Sequence, residues 1–362
     1  MVAGYRLWPW ILGAAVAFCP PARASGAAPA PLGVYLGNGG SGVARLPAFM
    51  QWLGREPDNI LDFFAYDSWA SLESDAEWTC SSWRGLGPRP LVKAVTFSVP
   101  LTIRGTPLED VASGLHDGSF RAVARSMVAM GWGRSVVRLG WEFNGSWMPW
   151  AAGANPTAYR SAYRHVVAVM RSVPGAAFRF DWCCAWSRNQ IAPDSVYPGD
   201  DVVDIVGMDI YTRYYSILNA DSGRRWEILK SMRFGLDWLA YFSVQHRKGL
   251  SIPEWGTGEA LTPDGGTGGG DDALFVQNMG AYLLENHATY SDYWDFHAPD
   301  YNASVSDGEH PLAGSALRAL FGRGPQAEAS VGAVPVPGPS APGSTGASGS
   351  SRSTSLKRSL FE

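Results

Sequence analysis

Eight short apolar runs restrict the possible folds of this chain more than any other feature. Each run is rich in β-branched or aromatic residues, and their starts lie roughly 25 to 45 residues apart. Amphipathic helical stretches separate most of them, for example residues 117–130 and 156–171. Such alternation predicts a parallel sheet covered by helices on both faces, and eight units favour a closed (β/α)₈ barrel of the α/β class. The runs are residues 32–36, 60–66, 91–99, 135–141, 177–184, 202–210, 249–255 and 290–296.

The chain of 362 residues is long enough for one large domain or two ordinary ones. No change of composition divides residues 31–323, so a single barrel is predicted there. Residues 324–362 are rich in Ala, Ser, Gly and Pro and contain almost no large apolar side chains before Leu360. Because such a segment cannot bury enough surface to offset its ordering entropy, it is predicted to be a disordered tail.

The first 24 residues have the pattern of an export signal. Arg6 supplies a positive charge, residues 7–18 are apolar, and Ala22 and Ala24 form an A-x-A cleavage site. We expect cleavage after Ala24, a flexible linker over residues 25–30, and a secreted or periplasmic protein. The apolar stretch is too short to span a bilayer, so the mature protein is predicted to have no membrane span.

The composition argues against several classes of partner. A formal net charge of −4 does not favour nucleic acid. The six His residues show no metal-ligand spacing, and neither CxxC nor HExxH occurs, so no metal or other cofactor is predicted. We expect a monomer.

Three cysteines remain after the predicted cleavage. A disulfide from Cys80 to Cys183 or Cys184 is one alternative in an oxidising compartment. Burial of Cys183 and Cys184 as small side chains on opposite faces of a strand is the other.

The first apolar run is followed by GNGGSG, residues 37–42. This matches the G-x-G-x-x-G pattern of a dinucleotide-binding turn, with Asp58 and Asp62 about 20 residues further on. A single match is weak in a chain with 42 glycines, and an exported protein would rarely meet NAD. We therefore predict a flexible loop after the first strand.

Two acids stand where predicted strands end, each among aromatic residues. Glu142 closes the fourth strand within WEFNGSWMPW, and Glu254 closes the seventh within SIPEWG. In a (β/α)₈ barrel the chemistry gathers at the carboxyl ends of the strands. Paired carboxylates there suit glycoside hydrolysis, since a protonated acid serves the leaving oxygen while an ionised one attacks the anomeric carbon. For either glutamate alone, a surface acid or an ion pair is the alternative.

Four motifs, in this order and spacing, resemble glycoside hydrolase family 26: RLGWEFNGSWMPW, FDWCCAW, YPGDDVVDIVGMDIY and PEWG. The resemblance covers about residues 31–323. It implies a retaining β-glycanase in a (β/α)₈ barrel, with Glu142 as the acid/base and Glu254 as the nucleophile. It also implies that Tyr211 hydrogen-bonds the nucleophile and helps keep it ionised.

The resemblance further implies aromatic side chains that stack on sugar rings. Trp147, Trp150 and Trp255 match such residues, and Trp294 on the eighth strand is a candidate floor for the central subsite. For each tryptophan, packing between strands and helices is the alternative. The remaining candidate substrate contacts, all near strand ends, are Trp69, Trp186, Asn144 and Asp209.

One position departs from the family pattern. Mannan-cleaving members usually have His immediately before the acid/base, where this chain has Trp141. The prediction is therefore a secreted endo-β-glycanase that hydrolyses a β-linked polysaccharide, with β-mannan placed ahead of β-glucan or a bacterial exopolysaccharide. A non-catalytic carbohydrate-binding barrel is the alternative function, but sugar binding alone does not need paired acids.

Overall fold

The structure is a computed structural model that describes residues 30–186, 189–212, 221–260 and 268–322. Within them, eight parallel strands close into a barrel in chain order, which confirms the predicted (β/α)₈ fold. The predicted signal peptide, nearly all of the linker and the predicted tail lie outside the described residues. The barrel strands are β1 (Gly33–Tyr35), β2 (Ile60–Phe63), β3 (Val95–Val99), β4 (Val136–Leu139), β5 (Arg179–Ala185), β6 (Ile205–Tyr211), β7 (Gly249–Gly256) and β9 (Tyr290–Trp294).

Helices surround the barrel, and a small antiparallel pair of strands lies outside it. That pair joins β8 (Glu259–Ala260) to β10 (Tyr301–Asn302). A short 3₁₀ helix, Pro193–Val196, lies between β5 and β6. The α-helices of the described residues are α1 (Gly39–Leu53), α2 (Trp69–Arg84), α3 (Leu108–Ala112), α4 (Asp117–Ala129), α5 (Pro156–Arg171), α6 (Ser222–Ser231), α7 (Leu236–His246), α8 (Ala273–Glu285) and α9 (Pro311–Phe321).

Helix α5 shows how local sequence sets an element of this fold. The Asn155 side chain accepts a hydrogen bond from the Ala158 backbone N–H at 3.0 Å and caps the first turn. Pro156 occupies the first helical position, where a missing N–H has no consequence. Tyr159 and Tyr163, one turn apart, are fully buried. The helix therefore has the bounds predicted from the sequence.

Polar side chains fill much of the barrel interior. Ser251 and Tyr290 donate hydrogen bonds to Asp181 Oδ2 at 2.6 and 2.5 Å. Asn59 Nδ2 donates to both carboxylate oxygens of Asp292, at 2.8 and 3.0 Å. Burial raises the pKa of both aspartates. Strands β5, β7 and β9 are thus joined by specific side-chain hydrogen bonds as well as by apolar packing.

The three cysteines of the described residues are buried free thiols, so the disulfide from Cys80 is wrong. Cys183 Sγ donates to Asp209 Oδ1 at 3.3 Å, inside the barrel. Cys184 Sγ contacts the Gly207 carbonyl oxygen at 3.7 Å. Burial of the adjacent pair, the other alternative, is confirmed.

Candidate active site

A β-bulge in β7 decides which side chains of that strand reach the barrel interior. On β6 the pairing moves three residues, from Gly207 to Ile210, while on β7 it moves four, from Ser251 to Trp255. One extra residue is therefore inserted in β7. Pro253 lies within this segment, and because it has no N–H it suits a bulge better than a regular ladder.

The bulge places Glu254 inside the barrel. Ser251 points inward, since it donates to the interior Asp181. Regular alternation would send Glu254, three residues later, to the helical side. The extra residue reverses this, so Glu254 joins the inward groups. Trp255 instead packs outward against Phe275 of α8, with ring centroids 6.2 Å apart.

Two donors hold the Glu254 carboxylate. Arg138 Nη1 donates to Oε1 at 2.8 Å, and the Tyr211 hydroxyl donates to Oε2 at 2.8 Å. Burial and the nearby charge of Glu254 raise the pKa of Tyr211, so it remains a phenol able to donate. Both interactions favour an ionised Glu254. The predicted contact between Tyr211 and Glu254 is present in the structure.

Arg138 is a site residue that the sequence reasoning missed. It is fully buried, and among the described residues it is the only Lys or Arg that is buried. Besides Glu254 it donates to Ser98 Oγ at 3.1 Å and to the Asp209 carboxylate. Burial lowers the pKa of Arg138, but Asp209 and Glu254 outweigh that effect and raise it overall. A charged residue within the apolar run 135–141 was the signal that could have identified it.

Glu142 lies at the opposite wall, just beyond β4. Its backbone N–H donates to the Cys183 carbonyl of β5 at 2.9 Å. Its φ of 54° is in the left-handed region, which a residue other than glycine seldom adopts. Such a conformation persists only where surrounding contacts enforce it. The neighbouring strand and the segment that follows Glu142 supply those contacts.

The E-x-N-G-x-W motif arranges that following segment. Asn144 Oδ1 accepts the Ala185 N–H, and its Nδ2 donates to the Ala185 carbonyl, both at 2.8 Å. At Gly145 a Cβ would lie 2.2 Å from the Trp147 ring, so only glycine leaves room for that indole. Trp147 Nε1 can then donate to Glu142 Oε2 at 2.8 Å. Each specified residue of the motif therefore makes or permits a contact in this segment.

The two glutamates share one mouth of the barrel. Both are buried, with 3% exposure for Glu142 and 4% for Glu254. Glu142 follows β4 and Glu254 lies near the end of β7, and the parallel strands of one barrel all end on the same side. The fourth and seventh strands therefore bring two carboxylates to the same end of the barrel, with separate donors for each.

Aromatic rings line this mouth. Trp294 stacks on Tyr35 with centroids 4.0 Å apart and planes 20° apart, and it contacts Tyr211 edge-on at 6.2 Å. Trp294 is 2% exposed and Tyr35 covers one of its faces, so its role as the floor of the central subsite stays a prediction. Trp147 and Trp186 are partly buried beside the cleft.

Trp69 lies further out at the start of α2. It is partly buried, and its ring stacks on His116 at 4.0 Å with planes 11° apart. One indole face is therefore already covered by an imidazole.

Two tryptophans predicted to stack on sugars cannot do so in this structure. Trp255 is fully buried between the barrel wall and α8. Trp150 is also fully buried, and its Nε1 donates to the Trp141 carbonyl oxygen at 2.6 Å. Both predictions are wrong because packing takes every face of these rings, which is the alternative stated for each.

Two polar residues predicted to contact substrate serve the scaffold instead. Asn144 is fully buried, and its amide is satisfied by Ala185 and Asn189. Asp209 is 2% exposed and accepts from Arg138 and Cys183. Because both side chains are occupied by protein partners, neither reaches a substrate directly.

Trp141, which replaces the usual histidine of mannan-cleaving relatives, is buried beside the site. Its ring packs against Trp150 at 4.5 Å and Phe63 at 5.4 Å. The Arg138 guanidinium lies 5.6 Å from its centroid. This chain thus has a larger, mostly apolar ring with a single N–H donor where an imidazole would offer a donor and an acceptor.

The glycine-rich segment after β1 does not form a phosphate cradle. Helix α1 begins at Gly39, so much of the predicted flexible loop is helical. The Gly39 N–H donates to Asp62 Oδ2 at 2.7 Å, and Trp83 Nε1 donates to the same oxygen at 2.6 Å. An internal carboxylate therefore occupies the place where a dinucleotide phosphate would bind.

Two further observations concern ligands and membranes. Across residues 30–186, 189–212, 221–260 and 268–322, no group of three or more His, Cys, Asp or Glu side chains is arranged to hold a metal ion. No helix in those segments has the length and apolarity to cross a bilayer.

The fold is a closed (β/α)₈ barrel, and glutamates lie at the carboxyl ends of its fourth and seventh strands. The sequence motifs implied this class of protein. Comparison with known proteins then shows which family this chain resembles. The family model for glycosyl hydrolase family 26 matches residues 135–223, which include Glu142 and Tyr211. This match confirms the predicted relationship to that family.

Similar proteins agree with that relationship. A mannan endo-1,4-beta-mannosidase of Bifidobacterium adolescentis is 31% identical over 160 residues, covering 40% of this chain and 14% of that protein. An endo-beta-1,4-mannanase double mutant of Cellulomonas fimi matches with a TM-score of 0.54 and 18% identity, over 75% of this chain and 65% of that one. The catalytic domain of a family 26 endo-beta-1,4-mannanase from Bacillus sp. JAMB-750 matches with a TM-score of 0.54 and 17% identity, over 81% and 85%. The chain thus spans only a small part of its curated relative, and the two structural likenesses establish the fold.

Proposed function

We propose that this protein is a retaining endo-β-glycanase that hydrolyses a β-linked polysaccharide. One observation supports the proposal above all others. Two buried glutamates lie at the same end of the barrel, and each has its own donors: Trp147 for Glu142, and Arg138 with Tyr211 for Glu254. Two carboxylates with different surroundings suit an acid and a nucleophile.

In the first step, Glu254 attacks the anomeric carbon and forms a glycosyl–enzyme ester. The bond from that carbon to the leaving oxygen breaks, and Glu142 gives its proton to the oxygen. Arg138 and Tyr211 donate to the two Glu254 oxygens and aim the carboxylate.

In the second step, Glu142 accepts a proton from water while the water oxygen attacks the same carbon and displaces Glu254. The sugar product then has the configuration of the substrate, and both glutamates return to their starting states.

The sugar is proposed from the relatives and from one wall of the site. The mannosidase and mannanases above favour β-mannan. Trp141 favours an alternative, because an indole has one N–H donor and no acceptor, unlike the imidazole that mannan-cleaving relatives usually have at this position. β-Mannan therefore stands ahead of β-glucan and a bacterial exopolysaccharide.

We further propose that the protein is exported and that its signal is removed after Ala24. Support comes from the charged, apolar and A-x-A pattern of residues 1–24. Mass spectrometry of the mature protein tests this, since a mass that retains those residues would contradict it. The expected monomer stays a prediction, which light scattering can test.

The catalytic proposal is tested with purified protein and a panel of β-mannan, mixed-linkage β-glucan, β-1,3-xylan and bacterial polysaccharides, with products sized. The wild type should give internal cuts in at least one polymer. Glu254→Ala should lose turnover by orders of magnitude and still bind that polymer. Hydrolysis by this variant near the wild-type rate would exclude Glu254 as the nucleophile.

Two controls separate an enzyme from a binding protein. The wild type should show a bell-shaped pH profile whose upper limb reflects loss of the Glu142 proton, and Glu142→Gln should remove that limb. Glu285→Gln changes an exposed glutamate at the last residue of α8, at the end of the barrel opposite the mouth, and should keep the wild-type profile. Polymer binding by the wild type without cleavage of any substrate would instead support the carbohydrate-binding barrel.

A further inference from the structure

Trp78 is a large aromatic side chain left open to solvent. It lies in α2 and is 48% exposed, and no other tryptophan of the described segments is as exposed. An exposed indole that is held in a fixed position offers a flat apolar face to a ligand.

The exposed indole rests on glycine backbone. A Cβ at Gly39 would lie 2.2 Å from Trp78 Cζ3, and one at Gly40 would lie 3.5 Å from Cζ2. Only a residue without a side chain allows the benzene half of Trp78 to lie against position 39. The GNGGSG segment, which binds no phosphate here, therefore gives Trp78 a fixed orientation at the surface.

This supported ring lies next to the candidate cleft. Tyr35, which stacks on Trp294 in the barrel mouth, donates its hydroxyl hydrogen to Asn38 Oδ1 at 2.6 Å. Gly39 follows directly, and the four residues from Tyr35 to Gly39 reach at most about 14 Å when extended. A polysaccharide chain leaving the mouth over Tyr35 can thus reach Trp78 within a few sugar units.

We propose that Trp78 is a surface binding site for one pyranose ring of a polysaccharide whose cleaved segment occupies the cleft. A sugar presents a flat face of C–H groups that packs on an aromatic ring. Because the glycines already fix the indole, binding loses little side-chain entropy. Exposed Ser41 and Ser74, near Gly40 and Trp78 in the chain, place hydroxyls in the same region.

The inference rests on the proposed function, since the adjacent cleft makes a polysaccharide the expected ligand. The test compares Trp78→Ala with Tyr241→Ala, a matched control that removes a 67% exposed aromatic ring from α7. Affinity electrophoresis in gels containing the polymer substrate measures binding. Kinetics are measured on that polymer and on a short chromogenic glycoside that cannot reach from the cleft to Trp78.

Trp78→Ala should weaken polymer binding and lower kcat/KM on polymer by roughly 2- to 10-fold. Its kinetics on the short glycoside should match those of the wild type. Trp78→Phe should recover part of the loss, because a ring remains, and Tyr241→Ala should change neither value. Unaltered polymer binding, or an equal loss on the short glycoside, would overturn the proposal.

A second comparison separates this proposal from the catalytic one. Polymer binding is measured for Glu254→Ala and for the double variant with Trp78→Ala, so that turnover plays no part. Weaker binding by the double variant supports the Trp78 site even when the wild type cleaves nothing. Equal binding by the two variants overturns it even when the wild type is an active hydrolase.

Discussion

The guanidinium of Arg138 links Glu254 to Asp209 inside the barrel. It donates to Glu254 Oε1 at 2.8 Å and to the Asp209 carboxylate, and all three side chains are buried. One cation thus joins β4 to β6 and β7 through buried ion pairs. The candidate nucleophile is held by the same contact that helps to hold the barrel wall.

Replacing Arg138 should therefore affect both stability and activity. Arg138→Met leaves two buried acids without their cation, and the free energy of unfolding should fall by about 3–5 kcal/mol. Urea unfolding followed by tryptophan fluorescence measures this change. Arg164→Met is the control, since its ion pair with Asp201 is exposed and should contribute about 0–1 kcal/mol. Equal losses in the two variants would contradict the assigned role.

Tyr211→Phe removes one hydrogen bond to Glu254 and keeps the ring. A hydrogen bond to a charged group contributes roughly 1.5–3 kcal/mol, so kcat/KM should fall by roughly 10- to 100-fold. Steady-state kinetics on the best polymer of the panel measure it. Circular dichroism should show an unchanged fold, and wild-type kcat/KM in this variant would rule out the contribution of the phenol.

Trp147 donates a hydrogen bond to Glu142 and is also predicted to stack on a sugar ring. Two variants distinguish these two roles. Trp147→Phe keeps an aromatic ring but loses the Nε1 donor, so kcat should fall while KM changes little. Trp147→Ala loses both features and should also raise KM. Kinetics that were identical for the two variants would show that only one feature matters.

His310 gives the protein a pH-dependent contribution to stability. Burial lowers the pKa of His310, but its contacts with the Ser304 carbonyl and Glu259, at 2.5 and 2.6 Å, outweigh burial and raise that pKa overall. A group whose folded-state pKa is raised stabilises fully below its unfolded pKa of about 6.5. The contribution is then lost as the pH rises through the folded value.

The difference in melting temperature between wild type and His310→Gln should consequently be larger at pH 6 than at pH 9. Thermal unfolding followed by circular dichroism at the two pH values measures it. His287→Gln provides a control at a histidine in the turn after α8. A difference that grew with pH would reverse the assigned sign.

Much of the fold could be predicted because local pattern and tertiary structure agree. Each of the eight apolar runs overlaps a barrel strand, and α5 has its predicted bounds. Parallel strands buried on both faces have nearly continuous apolar sequences, which makes them visible without other information. Asn155 and Pro156 likewise mark the start of α5 by direct capping chemistry.

Site residues could be predicted from sequence where the chemistry requires a particular residue type. They were harder to predict where the direction of a side chain depends on tertiary packing. Tyr211 contacts Glu254 as expected, and Glu142 follows β4 at the same end of the barrel. The orientation of Trp255 depends on the bulge in β7, which strand alternation does not reveal, although Pro253 was a local sign of it. Arg138 was overlooked because a charged residue in a buried strand has meaning only once its partners are known.

The left-handed backbone at Glu142 has a consequence for anyone who disables this protein. Glycine takes up such a twist without steric penalty, whereas alanine does not. Glu142→Gly should therefore give a more stable inactive protein than Glu142→Ala. Such a protein could hold an uncut polymer in the groove for crystallography. The backbone at position 142 would be less strained with glycine than with the glutamate that is present.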